Sequence, residues 1–162
     1  MGDGSSRSAS TPLSPYPESV NGTATQHVRR GDASPTAAAA HSHTLLLVED
    51  DDDTREALTM LLRSLGVCVT SARSGRDALA VLRDGCTPCL LLLDVRMPDM
   101  GATAFRAEQL ADAKLARIPV VLTSGDSELP NLAATLGVAG YVGKPLEPKK
   151  LLDIIGRYCG GH

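Results

Sequence analysis

Leu90-Leu91-Leu92-Leu93-Asp94, continued by Val95-Arg96-Met97-Pro98-Asp99-Met100-Gly101, is the passage from which the architecture can be worked out. Four consecutive leucines between turn residues fit a strand buried on both faces, as in a parallel sheet covered by helices. A carboxylate stands where such a strand must stop. In an open α/β sheet that position is the carboxyl edge, where ligands bind. Asp94 is therefore a charged group held at a functional edge by a rigid apolar strand, and it is the candidate reactive residue.

The flanking sequence supplies the rest of a sheet. Leu45-Leu46-Leu47-Val48 is a short apolar run that ends in Glu49-Asp50-Asp51-Asp52-Asp53. Leu58, Leu61, Leu62 and Leu65 then recur at helical spacing, and Gly66 stops them. Asp53 with Glu56 resembles a capping box, with Asp in place of the usual Ser or Thr. Val67 to Thr70 alternates as a second strand, and Ser74 to Leu82 reads as a helix with Ala78, Leu79 and Leu82 inward. Beyond the leucine strand, Thr103 to Ala113 reads as a helix around Phe105, Gln109 and Leu110. Ile118 to Thr123 is the fourth strand and leads into Ser124-Gly125-Asp126. Ser127 is placed to cap a short helix with Pro130 in its first turn and Gly137 at its end. Ala139 to Val142 is the fifth strand. Pro148 opens a last helix with Leu151, Leu152, Ile155 and Tyr158 on one side. Strands alternating with helices imply a doubly wound α/β fold, a five-stranded parallel sheet with right-handed crossovers.

Residues 1–43 differ in kind. They are rich in Ser, Thr, Pro, Ala and Gly, and Leu13, Tyr16, Val20 and Val28 follow no period. Such a segment cannot bury enough surface to offset its ordering entropy, so a disordered tail is expected ahead of one domain over residues 44–160. Within the tail, Arg30-Gly31-Asp32 is read as a chance tripeptide, and His41-Ser42-His43 as solvent-exposed rather than metal-binding.

Bulk properties narrow the function classes. The 162 residues are 43% hydrophobic but only 2% aromatic, so the core must be aliphatic; the net charge of −3 gives no general basic field for nucleic acid. No apolar run is long enough to span a bilayer, and the N-terminus lacks the order of a signal peptide, which points to the cytoplasm. Cys68, Cys86, Cys89 and Cys159 do not suggest a secreted disulfide framework. Cys86-Thr87-Pro88-Cys89 has the C-x-x-C spacing of redox and zinc motifs. It runs into a strand rather than a helix, so a structural or incidental role is preferred.

Three strand ends carry chemistry: Glu49-Asp50, Asp94 and Ser124. If the first and third strands are neighbours, their carboxylates converge, and like charges so close need compensation. A hard divalent cation meets that need; Mg²⁺ favours a few carboxylates, retained water and a phosphate oxygen. Lys144, just past the fifth strand, adds a positive charge opposite. Asp51, Asp52 and Asp53 are better read as a solvated helix N-terminus favoured by the helix dipole. A carboxylate beside a cation, a hydroxyl and a lysine suits phosphoryl acceptance, which demands mainly positioning and charge neutralisation. No glycine-rich phosphate loop is present, so ATP is not the expected direct donor.

Leu47-Val48-Glu49-Asp50, Asp94-x-x-Met97-Pro98-x-Met100, Ser124-Gly125 and Tyr141-x-x-Lys144-Pro145 together resemble the receiver domain of bacterial two-component response regulators, over residues 44–160. The resemblance implies a flavodoxin-like sheet of order 2-1-3-4-5. It implies Asp94 as phosphoacceptor, with Mg²⁺ (Mn²⁺ as an alternative) bound by Glu49, Asp50, Asp94 and the Arg96 backbone carbonyl. Ser124 matches the switch hydroxyl, Tyr141 the switch aromatic and Lys144 the lysine of the motif. The implied donor is a phosphohistidine on a sensor histidine kinase or a histidine phosphotransfer protein. The implied output is a surface of the fourth helix, fifth strand and fifth helix that contacts a downstream protein. Arg96 and Asp126, each two residues beyond a reactive position, are placed to pair over the phosphoryl group and slow its hydrolysis.

Two departures from the family pattern stand out. Gly101-Ala102 replaces the usual Asp-Gly, and the interval from Ser124 to Lys144 is short, which implies a truncated or poorly ordered fourth helix. With no room for a DNA-binding domain after the fifth helix, the expectation is a stand-alone module, a monomer or a dimer formed on phosphorylation, without direct nucleic-acid contact, membrane insertion or independent substrate turnover. A competing class is an Mg²⁺-dependent aspartyl-nucleophile phosphohydrolase. It is disfavoured because Arg96 occupies the position of the second catalytic Asp. A receiver-like binding module that is never phosphorylated is disfavoured by the complete acidic set with Lys144.

Overall fold

The structure is a computed structural model and describes residues 44–160; the tail over 1–43, with its Arg-Gly-Asp and His-Ser-His segments, lies outside the described residues. Five strands, β1 (Thr44–Val48), β2 (Cys68–Ala72), β3 (Leu90–Asp94), β4 (Val120–Ser124) and β5 (Gly140–Gly143), form one parallel sheet of order β2-β1-β3-β4-β5. Helices α1 (Asp52–Ser64), α2 (Gly75–Arg83), α3 (Ala102–Ala111), α4 (Leu129–Leu136) and α5 (Pro148–Cys159) connect and follow them.

The run of leucines serves two cores at once. Successive strand side chains point to opposite faces. Leu91 and Leu93 pack with Ala78, Leu79, Phe105 and Ala133 of α2, α3 and α4. Leu90 and Leu92 pack with Leu58, Leu62, Leu151 and Ile155 of α1 and α5. All four are at most 1% exposed, which is why no polar residue interrupts the strand. Phe105, the sole phenylalanine, fills the first core completely.

Local details differ from the sequence pattern in instructive ways. The N-cap of α1 is Asp51, which accepts from the Thr54 N–H at 2.8 Å, rather than Asp53 with Glu56. The helix thus starts one step after the acidic pair and leaves Glu49 and Asp50 in the preceding loop. Ser74, read as the first helical residue, is instead the N-cap of α2 and accepts from Asp77 N–H. Ile118 and Pro119 precede β4 instead of joining it, because a 3-10 turn over Leu115–Arg117 closes with Ile118 N–H on the Leu115 carbonyl. Glu128, not Ser127, is the N-cap of α4 and makes no side-chain cap. That helix is only eight residues long, in keeping with the short interval in the sequence, and ends on Gly137 in the left-handed conformation at φ +57°. Gly101 likewise starts α3 without a side-chain cap. In α5, Leu151 and Ile155 are buried but Leu152 and Tyr158 are turned to solvent, as is Leu110 of α3. The apolar stripe on each helix is narrower than its composition suggests.

Candidate functional site

β1 and β3 are neighbours, and Val48 registers with Leu93, so Glu49 emerges beside Asp94 at the carboxyl edge. The chain order reverses between these strands, which opens the crevice expected at a topological switch point. Glu49, Asp50 and Asp94 bring one carboxylate oxygen each to within 4.8 Å of one another. Glu49 and Asp94 are buried, at 2% and 4% exposure, whereas Asp50 is more open to solvent.

Lys144 closes the crevice from β5. Its main-chain N–H donates to the Ser124 carbonyl at 2.8 Å, continuing the β4–β5 ladder, and its peptide bond to Pro145 is cis. Its ammonium lies 2.8 Å from Glu49 Oε2 and 3.3 Å from Asp94 Oδ2. Burial pushes the Glu49 carboxyl up, and the Asp94 charge adds to that; the hydrogen bond from Lys144 only partly offsets them. For Lys144 burial acts downward, but the hydrogen bond to Glu49 and the charges of Asp94 and Glu49 prevail and hold the ammonium above its usual range. One lysine thus faces three carboxylates, a set of hard oxygen donors with net negative charge. Such a set fits a hard divalent cation at the open side.

The remaining candidates surround this centre. Ser124 ends β4, is 2% exposed, and its hydroxyl accepts from Asp126 N–H at 3.1 Å. Arg96 and Asp126 form an ion pair at 3.2 Å that links the segments following β3 and β4. Hydrogen bonding from the Glu128 N–H, then from Arg96, holds the Asp126 carboxyl below the usual range. Tyr141 is turned outward at 49% exposure and lines a cleft of about 350 Å³ with Lys150, Asp153, Ile154 and Arg157 of α5.

Two residues at the site left no signal in the sequence. Arg55 reaches back from α1 and donates to the main-chain carbonyls of Glu49 at 2.9 Å and Asp50 at 3.3 Å, while also pairing with Asp52. It fixes the acidic loop, and a cation six residues beyond a carboxylate belongs to no local period. Thr123, buried beside Asp94 in the register, is the other. Of the C-x-x-C pair, Cys89 has a structural role and Cys86 is a free thiol. Cys89 is disulfide-bonded to Cys159, seventy residues away, rather than to Cys86 within the C-x-x-C.

A doubly wound sheet of this order, with an acidic crevice and one lysine at its switch point, defines an α/β class that presents hard oxygen donors to a cation. Residues 45–156 match the response regulator receiver domain, and the chain belongs to that family. Nodulation protein W of Bradyrhizobium diazoefficiens is 31% identical over 103 residues, which cover 62% of this chain and 44% of that protein. This chain therefore matches less than half the length of that relative. A putative response regulator from Chloroflexus aurantiacus superposes with a TM-score of 0.67 at 28% identity, over 74% of this chain and 98% of that one. The receiver domain of a signal transduction histidine kinase from Syntrophus aciditrophicus gives 0.65 at 27% identity, over 74% and 91%. The chain is a receiver domain of two-component signalling. Its family binds Mg²⁺ in the acidic pocket and interacts with histidine kinases and downstream proteins. Among the described residues no helix is long and apolar enough to cross a membrane.

Proposed function

We propose that Asp94 accepts a phosphoryl group from a phosphohistidine, with Mg²⁺ held by Glu49, Asp50, Asp94 and the Arg96 carbonyl. The observation that carries this reading is the convergence of three carboxylates within 4.8 Å on one lysine that touches two of them. Bound Mg²⁺ supplies neutralisation of charge on the transferring oxygens.

The chain's own groups do the rest. An Asp94 oxygen attacks phosphorus in line; the P–N bond to the donor imidazole breaks, and the ring nitrogen keeps the electron pair and takes a proton from solvent. The Lys144 ammonium has three protons. Two are directed at Glu49 and Asp94, and the third is free for a phosphoryl oxygen. The Ser124 hydroxyl accepts from Asp126 N–H, so its own proton is free to donate to a second oxygen. Once Asp94 carries phosphate, Ser124 moves toward it and Tyr141 turns inward, changing the face made by α4, β5 and α5. This is a two-state element biased by one new charge.

Incubation of the full chain with acetyl phosphate and Mg²⁺, followed by intact mass, tests the assignment. The expected result is one added phosphoryl group on the wild type and none on Asp94→Asn or in the presence of EDTA, with Mn²⁺ able to replace Mg²⁺. Equal modification of the Asp94→Asn variant would remove Asp94 from its role.

A further inference from the structure

The edge of the sheet opposite the acidic crevice holds a second cluster of reactive groups. Cys89 enters β3 and is bonded to Cys159, the last residue of α5, so the disulfide ties the end of that helix to the start of the central strand. Cys159 is buried at 3% exposure; Cys89 and the free thiol Cys86 are both half-buried. Cys86 and Cys89 line one cleft of about 650 Å³ together with Arg83, Lys114, Arg117 and Asp112. A free cysteine and a disulfide-bonded one, three residues apart, therefore line the same space.

That space is also positively charged. Arg83 pairs with Glu108, but Lys114 and Arg117 have no ion-pair partner among the described residues, and Asp112 is occupied in accepting from the Lys114 and Leu115 N–H groups. An unneutralised pair of cations beside a thiol attracts anionic thiols.

We propose that Cys86, Cys89 and Cys159 form a thiol–disulfide exchange site, with Cys86 as the attacking thiol and a small anionic thiol of the glutathione class as co-reactant. The Cys86 thiol first loses its proton to solvent. Its sulfur attacks Cys89 Sγ; the Cys86–Cys89 bond forms as the Cys89–Cys159 bond breaks, and Cys159 leaves as a thiolate and is protonated. A first external thiol then attacks Cys86, forming a mixed disulfide and releasing Cys89. A second displaces the first as the small-molecule disulfide. The sum is one protein disulfide and two external thiols giving three protein thiols and one external disulfide. Reversal with the external disulfide as oxidant reforms the tether. Exchange of this kind proceeds through mixed disulfides and depends on which sulfur is reachable. The buried Cys159 is reached through its neighbours, and exchange decides whether the last turn of α5 is fastened to β3.

The full chain, oxidised and free of Mg²⁺ and phosphate donors, is treated with reduced glutathione, quenched by alkylation at intervals and mapped by peptide mass. The wild type is expected to release Cys159 as a free thiol and to yield a trapped Cys86–Cys89 disulfide or a glutathione adduct on Cys86. Cys86→Ser is expected to slow that release by about tenfold or more, since an intramolecular attack is replaced by a bimolecular one, while Cys68→Ser leaves it unchanged. Lys114→Glu with Arg117→Glu is expected to slow the reaction with glutathione but not with neutral 2-mercaptoethanol. Four free thiols under oxidising glutathione, or equal rates for wild type and Cys86→Ser with no adduct on Cys86, would overturn the proposal. Because the readout excludes Mg²⁺ and phosphate, it is independent of Asp94.

Discussion

Lys144 Nζ sits 2.8 Å from Glu49 Oε2, joining residues 95 positions apart, and the two are shifted in ways that make the metal-free pocket pH-sensitive. The folded state holds the Glu49 proton more tightly than the unfolded chain does, because burial outweighs the lysine. Stability without metal should therefore fall as pH rises from the ordinary glutamate value of 4.5 through the raised folded value. Lys144 acts in the other window: its contribution is complete below the ordinary value of 10.5 and is lost as pH rises through its raised folded value. Glu49→Gln keeps a carbonyl for Lys144 but removes the buried charge. Urea melts in EDTA are expected to show the acid-side slope flattened in the variant, because the group that titrates there is gone. With Mg²⁺ at a hundredfold excess over its Kd the wild type should gain about 2.7 kcal/mol, and the variant much less. A variant that is less stable in EDTA and gains as much from Mg²⁺ would show that Glu49 is a structural residue only.

Tyr141 faces outward, over the cleft shared with α5. If its rotation reports the state of Asp94, a phosphate analogue such as beryllofluoride with Mg²⁺ should move its ring resonances, selectively labelled, to those of a buried tyrosine. Tyr158, whose hydroxyl donates to the Ala139 carbonyl, is the reference ring and is expected to stay as exposed as it is here. Unmoved Tyr141 resonances at full analogue occupancy would argue that signalling bypasses this residue.

Arg96 and Asp126 meet at 3.2 Å, yet their side chains are 75% and 42% exposed. Solvent screens so exposed a pair, so Arg96→Ala should leave the melting curve nearly unchanged. If the pair shields the phosphoryl group from water, Arg96→Ala is expected to lose phosphate faster than the wild type. Dephosphorylation followed by intact mass checks this, and an unchanged rate removes the shielding role.

How far the sequence carried these conclusions depended on how local each signal was. Leu90 to Asp94 was legible because a strand buried on both faces leaves a continuous apolar run, and its carboxylate marks the edge by contrast. Glu49, Lys144 and Ser124 followed from strand ends, since parallel strands place their termini on one edge. Arg55 was invisible because its partners are main-chain carbonyls, which any residue offers. The Cys89–Cys159 link was invisible for a related reason: seventy residues separate the two, and only the fold brings the last helix to the start of β3. The apolar stripe of α5 was overestimated because Leu152 and Tyr158 satisfy composition without reaching the sheet.

Arg106 provides the last test, of how the short α4 is held. From α3 its guanidinium donates to the carbonyls of Leu136 at 3.2 Å and Gly137 at 3.0 Å, and to Gln109 Oε1 at 2.8 Å. Gln109 is fully buried and in turn donates to the carbonyls of Leu115 and Ile118. An eight-residue helix has little stability of its own, and its last carbonyls need partners. Arg106→Ala strips donors from two carbonyls at the end of α4 and from one buried amide, at a cost of about 1.5–3 kcal/mol for hydrogen bonds from a charged group. The loss should concentrate where the bonds were. Amide exchange at Gly137 and Val138, whose N–H groups close the last turn on Ala134 and Ala133, is expected to accelerate well before that of β3. Arg106→Lys, a point charge without the planar fork, should recover only part of the protection. Uniform acceleration across the sheet would instead mean that Arg106 supports the whole core and that α4 is anchored by its buried Leu129 and Ala133.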